Sequence, residues 1–288
     1  MNRPVPLLAA LALSLTAGVA PAAPGTVAPA VPAPRAFAPT RFTVQVIGSG
    51  PDVILIPGLA GSRDVWRGSA NGVPGYRYHL VQVAGFAGTQ ARGNARGPVV
   101  APLAEEIARY ISANRLNRPA LVGHSMGGTV AMMVAARYPS RVGKVMVVDM
   151  LPQPAGLLGG SANEMRGLAD ALRDLSSTAE GRGLVEGAIR MFGGPEAANR
   201  SDADVVARAT HELAVTDLTR ELPRIAAPMT VVYAVIDPSR QVSTDRTYRA
   251  AYAPRRGTRL VRIDDSGHMI MADQPAKFRA ELRGFLAN

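Results

Sequence analysis

Seven short runs rich in β-branched and other apolar residues recur between Arg41 and the end of the chain, at residues 42–47, 52–56, 78–83, 120–122, 144–148, 230–235 and 259–263. Longer segments of helical periodicity separate them: Leu103, Ile107, Tyr110 and Ile111 share one face, as do Val130, Met133 and Val134. Strands that alternate with helices need crossover connections, so this pattern predicts an α/β chain with a mostly parallel twisted sheet flanked by helices. The alternation breaks at residues 151–226. No strand pattern occurs there, while Met165, Leu168, Leu172 and Leu175, then Val185, Ala188, Ile189 and Phe192, trace helical stripes. The expected organisation is therefore a core of residues 41–150 and 227–288 carrying a helical insertion at 151–226.

The chain has 288 residues, of which 47% are hydrophobic, enough to bury a sizeable core. Its first 22 residues read differently. Arg3 is followed by an apolar run from Leu7 to Ala20, and Ala20-Pro21-Ala22 has the small-x-small form of a processing site. The run is short of the roughly 20 apolar residues that span a bilayer, so a secretory leader is expected, with the protein exported to the periplasm or secreted; an uncleaved membrane anchor is the alternative. Residues 23–40 are mostly alanine and proline and predict an extended tether. Cysteine is absent, which removes disulfides, thiol nucleophiles and thiolate metal sites together.

The formal net charge is +10. Only Lys144 and Lys277 are lysine, and the arginines scatter from Arg35 to Arg283 with no basic, aromatic-interleaved patch, so no nucleic-acid partner is expected. Weak attraction to anionic envelope lipids is the association that such a charge admits. Neither GxGxxG nor a phosphate-loop signature occurs, and the four histidines are dispersed with no His-x-x-x-His spacing, so neither a cofactor nor a metal is expected.

The chemistry concentrates at Gly123-His124-Ser125-Met126-Gly127. Leu121 and Val122 end a buried strand and Met126 begins a helix, which puts Ser125 on a tight turn where only small neighbours are tolerated. Such a turn projects the serine hydroxyl outward. The small residues Gly127, Gly128, Ala131 and Ala135 then let the helix approach the sheet closely.

This elbow, the strand-loop Ile54-Leu55-Ile56-Pro57-Gly58-Leu59-Ala60-Gly61-Ser62 with Trp66 after it, and the terminal Asp264-Asp265-Ser266-Gly267-His268 resemble the α/β-hydrolase family, esterase-like and with a helical cap at 151–226. The resemblance runs from about residue 42 to 287. A serine hydroxyl needs a base to become nucleophilic at neutral pH, and His268 stands where the family has its histidine. His79 lies in a strand far upstream, His211 lies in the insertion, and His124 is expected to point away from the hydroxyl. For the carboxylate that orients the base, the resemblance implies Asp237, after the strand at 230–235; Asp149, at the end of the strand at 144–148, is the alternative acid. Asp264 and Asp265 stand too close to His268 in sequence to face its ring. The backbone N–H groups of Leu59 and Met126 are the expected oxyanion donors. Pro57 stands where family members often have histidine, which predicts a stiffer loop.

These residues imply a serine hydrolase that cleaves carboxylic esters through an acyl-enzyme. Serine at the elbow argues against the epoxide hydrolase and dehalogenase branches, which use a carboxylate there. Two alternatives stay open: the same triad acting on a carbon–carbon, amide or thioester bond or as an acyltransferase, and a non-catalytic protein that binds a ligand. Leu59, Trp66, Met126, Leu151 and Leu158 are the apolar candidates for a pocket wall.

Overall fold

The computed structural model describes residue 1 and residues 37–158 and 200–288. The expected leader, most of the linker, the stripes between Met165 and Phe192 and the side chain of Leu158 lie outside the described residues. All seven expected strands form: β1 (Phe42–Gly48), β2 (Asp52–Ile56), β3 (Arg77–Val83), β4 (Ala120–His124), β5 (Lys144–Val148), β6 (Met229–Val235) and β7 (Arg259–Asp264). They make one sheet in the order β1-β3-β2-β4-β5-β6-β7. Only β1 runs antiparallel to its neighbour; every other pairing is parallel. The carboxyl ends of the parallel strands consequently share one rim, with Ile56 opposite Gly123, His124 opposite Val148 and Val148 opposite Val232.

The strands of a sheet covered on both faces read as continuous apolar runs, and their alternate side chains feed two cores. Ile54, Ile56, Leu121, Val145 and Val147 face a core shared with the helices α2 (Val100–Ala113), α3 (Met126–Arg137), α4 (Ala203–Val215) and α5 (Gln241–Tyr252). Val53, Leu55, Val122, Met146 and Val148 face a second core. That core is closed by the short helix α1 (Arg67–Gly72), the single turn α6 (Ile270–Asp273) and α7 (Pro275–Ala287). Trp66, expected at a pocket wall, is instead fully buried in this second core, its ring centroid 6.0 Å from that of Phe278. An indole buries the largest apolar area of any side chain, and here it fills the space between sheet and helix.

Of the expected insertion, the described part holds α4 and two 3-10 turns, Pro154–Leu158 and Leu222–Arg224, with no strand among the described residues there. Polar groups fasten this segment to the core. Glu212 of α4 accepts from the backbone N–H groups of Val99 and Val100, and so satisfies donors at the amino end of α2 that have no intrahelical partner. The last linker residues are anchored in the same way. The buried Glu106 carboxylate accepts from Thr40 N at 3.0 Å and Arg41 N at 2.7 Å.

His79 is structural. Its Nδ1 takes the Tyr110 hydroxyl at 2.8 Å and its Nε2 donates to Asp52 at 2.8 Å, far from the carboxyl rim.

The close approach of α3 depends on Gly127. A Cβ there would overlap the carbonyl oxygen of Ile56 and lie 2.6 Å from that of Pro57, both fixed backbone atoms. At Gly128 the nearest atom would be Val147 Cγ1 at 3.0 Å, a side-chain carbon able to move. Gly127→Ala is therefore expected to destabilise by about 1–3 kcal/mol or more in urea unfolding, and Gly128→Ala by less.

Candidate active site

Ser125 sits between β4 and α3 with φ 52° and ψ −122°, a conformation that a residue with a Cβ enters only under constraint. The constraint is supplied by its own peptide groups. Its N–H donates to Val148 O on β5 at 2.9 Å, and its carbonyl takes the N–H of Gly128 at 2.7 Å, the first turn of α3. Gly123 is obligatory because a Cβ there would overlap the Gly127 carbonyl. The loop after β2 crosses directly over this turn. A Cβ on Gly58 would lie 3.1 Å from Ser125 Cβ and 2.9 Å from His124 Nδ1. Leu59 follows in that loop and Met126 opens α3, both buried, and Ala60 closes the loop at φ 56° with Gly61 N donating to Gly58 O at 3.1 Å. The chain thus brings two short backbone segments against one serine.

His268 lies in the loop after β7. That loop is fixed from outside: Gly267 N donates to Asp273 at 2.9 Å, and Gln274 Nε2 donates to Asp265 O at 2.7 Å. His268 Nδ1 meets Asp149 Oδ2 at 2.7 Å. A carboxylate only accepts, so the proton of a neutral His268 sits on Nδ1 and the lone pair on Nε2. Nε2 is sealed from solvent. The other oxygen of Asp149 accepts from Ala234 N and from the Tyr248 hydroxyl, both at 3.0 Å. Asp149 itself is held at φ 50°, with its N–H on Val232 O at 2.7 Å. Ser125 and Asp149, both at positive φ, therefore directly follow neighbouring strands at the same rim.

The expectation that Asp237 holds His268 does not match this geometry. Asp237 is exposed, two residues beyond β6, and its Oδ1 caps the next turn by accepting from Ser239 N at 2.9 Å and Ser239 Oγ at 2.8 Å. Those hydrogen bonds hold its carboxyl below the usual range. Asp237-Pro238-Ser239 is a helix-start pattern, a capping aspartate with proline at the first helical position, and that local signal accounts for its conformation. The alternative acid, Asp149, occupies the place. Asp264 is paired with Arg262 at 2.7 Å and Asp265 projects to solvent, so neither faces the ring. His211 lies in α4.

The profile of the Alpha/beta hydrolase family matches residues 53–281. The chain belongs to the alpha/beta hydrolase family. It is 27% identical over 216 residues to a pimeloyl-[acyl-carrier protein] methyl ester esterase of Vibrio atlanticus, spanning 67% of this chain and 79% of that one. Among solved structures it is similar to an esterase from Exiguobacterium antarcticum, with TM-score 0.68 and 22% identity over 86% of this chain and 96% of the other. An enol-lactonase from Burkholderia xenovorans superimposes with TM-score 0.67 at 17% identity, again over 86% and 96%. At such identities the structural likeness speaks to the fold.

Within this alpha/beta hydrolase, two residues at the site escaped sequence reasoning. His124 does not simply turn away: its ring packs 4.6 Å from that of His268, and its Nε2 lies 2.9 Å from the His268 carbonyl oxygen. Since a carbonyl only accepts, Nε2–H donates, and His124 is a neutral clamp on the backbone of the residue whose ring it touches. Tyr248 was missed because its partner is 99 residues away in sequence. The available signal was the tyrosine pair at 248 and 252, one turn apart on a helix that is otherwise mostly polar.

Burial, reinforced by the neighbouring His268, pushes His124 down to about 3, far below the ordinary value near 6.5. In the unfolded chain His124 binds a proton below about 6.5, whereas the folded protein resists until about 3. Stability therefore rises with pH across that window and is lost as pH falls through it. His124→Gln keeps a donor near the Nε2 position without a titrating ring. The variant is expected to lose stability less steeply than the parent between pH 6.5 and 4, read as the difference in urea midpoints.

Proposed function

We propose that this alpha/beta hydrolase cleaves carboxylic esters through an acyl-enzyme on Ser125, with His268 as base and Asp149 as the orienting acid. The observation that carries the reading is the 2.7 Å contact of His268 Nδ1 with Asp149 Oδ2 at the rim where Ser125 is held at positive φ. A buried Nδ1–H···carboxylate pair fixes the tautomer that a general base needs and stabilises the imidazolium formed when the serine is deprotonated.

In the proposed reaction Ser125 Oγ attacks the ester carbonyl as its proton passes to His268 Nε2, and the N–H groups of Leu59 and Met126 take the oxyanion. Collapse expels the alcohol with the proton from His268. Water, deprotonated by the same nitrogen, then attacks the acyl-enzyme and releases the acid. The ester class is supported by the methyl ester named for the Vibrio relative. The leader pattern of residues 1–22 supports export, which an amino terminus beyond residue 22 in the mature protein would check.

A panel of p-nitrophenyl esters, anilides, thioesters and diketones, with a fluorophosphonate probe, tests the reading. Ester turnover and labelling are expected in the parent and lost in Ser125→Ala. Asp149→Asn is expected to lower kcat by about 10²–10⁴-fold, since the amide favours the wrong tautomer, while Asp237→Asn stays near the parent. Full ester turnover by Ser125→Ala would remove the serine mechanism. Diketone cleavage without ester turnover would reassign the bond, and a folded parent that the probe does not label would favour a binding role.

A further inference from the structure

We propose that Tyr248 is a positioning residue for the catalytic histidine: its hydroxyl, donated to the second oxygen of Asp149, fixes the carboxylate whose first oxygen holds His268. This rests on the assignment of Asp149 and His268 above and extends it to a residue on α5.

A carboxylate turns easily about its last torsion, which is broad and nearly two-fold. One hydrogen bond to His268 leaves that freedom in place. Here Oδ1 receives two further donors, Ala234 N and Tyr248 Oη, each at 3.0 Å, so three donors on two oxygens define one plane. Ala234 N belongs to β6, which also accepts the Asp149 N–H through Val232 O, and it fixes the strand side. Tyr248 is the only side chain on Oδ1 among the described residues, and it comes from α5.

The ring that carries this hydroxyl is itself immobilised. Tyr248 is 3% exposed and stacks on Tyr233 with centroids 4.2 Å apart and planes 14° apart, while Tyr252 lies near-parallel on α5 at 6.4 Å. The Tyr233 hydroxyl donates to Asp245 at 2.8 Å, and Asp245 takes Arg262 at 2.6 Å, which pins the far side of the stack. Tyr252 donates its hydroxyl to Met150 O at 2.6 Å, one residue beyond the acid. Two tyrosines one helical turn apart therefore grip two consecutive residues, 149 by side chain and 150 by backbone.

Sharing the carboxylate charge also tunes the base. With Tyr248 on Oδ1, less of the negative charge is available to stabilise an imidazolium at His268; without it, protonation of His268 becomes easier. Among the described residues, the titratable groups around the pair are His124 from the elbow, Tyr248 and Tyr252 from α5 and Tyr233 from β6. Burial keeps His124 neutral down to about 3, and burial likewise, with the Asp149 charge next, keeps Tyr248 and Tyr252 protonated far above neutrality. Burial, then Asp245, pushes Tyr233 up to about 12. None of these four groups therefore titrates between pH 5 and 9.

The test compares Tyr248→Phe with Tyr252→Phe, which loses a buried hydroxyl from the same stack without touching Asp149, and adds 3-fluorotyrosine at position 248, a stronger donor of nearly the same shape. Expected for Tyr248→Phe are a kcat about tenfold lower with KM unchanged, an acid limb moved up by about half a pH unit, and a matching rise in the His268 titration followed by NMR of its ring. Fluorotyrosine should move limb and titration down, and Tyr252→Phe should cost stability but move neither. In an Asp149→Asn background Tyr248→Phe should lower kcat no further. An unmoved His268 titration in both Tyr248 variants, or an equal loss of kcat in the Asp149→Asn background, would overturn the proposal. The NMR titration does not depend on turnover: if Ser125→Ala retains activity the serine mechanism fails, while the His268 shift still decides the role of Tyr248.

Discussion

The hydrogen bond from His268 to Asp149 joins the loops that follow β7 and β5 across the end of the intervening β6 at the rim of the sheet. Asp149 follows β5, one strand from the elbow, and His268 follows β7 at the sheet edge. Each is held by its own surroundings before they meet: Asp149 by β6 and α5, His268 by Asp273, Gln274 and the clamp from His124. A pair assembled from two independently fixed sides keeps its geometry with no reorganisation during a reaction, the condition under which fixed dipoles contribute most.

Backbone strain is placed where that geometry needs it. Ser125 and Asp149 both carry φ near 50°, and both are tied through the β5–β6 edge, Ser125 to Val148 O and Asp149 to Val232 O. Each such residue costs on the order of 1–3 kcal/mol, which the surrounding parallel strands must over-determine. The packing of α3 on β2 and β4 provides this, because Gly123 and Gly127 let helix and strand backbones touch. The same closeness seats the Pro57–Gly61 loop against the serine.

Electrostatically the site is arranged around the Asp149 carboxylate. His124, which could compete with His268 for protons, is kept neutral by burial and still contributes a donor. Asp149 accepts three hydrogen bonds, which keeps a largely buried carboxylate satisfied. Asp237 belongs to none of this and serves the start of α5.

Much of the fold was legible in the chain itself. The seven apolar runs became seven strands because a sheet covered on both faces demands unbroken β-branched stretches, and Gly123-x-Ser125-x-Gly127 marks an elbow because only glycine fits where helix and strand backbones meet. The choice between Asp237 and Asp149 was not legible. Both follow strands at the same rim, and what separates them is where each side chain can turn: Asp237 closes a local cap within two residues, while Asp149 meets a histidine 119 residues away. Trp66 likewise reads as an aromatic near a site loop, yet the 3-10 turn Arg63–Trp66 seats it in the core on the opposite face of the sheet, against Phe278. The sequence by itself determined which strands form and where the turn of Ser125 lies, because those depend on neighbours a few residues apart. Which carboxylate, which second histidine and which tyrosine complete the site was decided only by the tertiary structure, because hydrogen-bond partners there are set by strand order and helix facing across 99 to 144 residues.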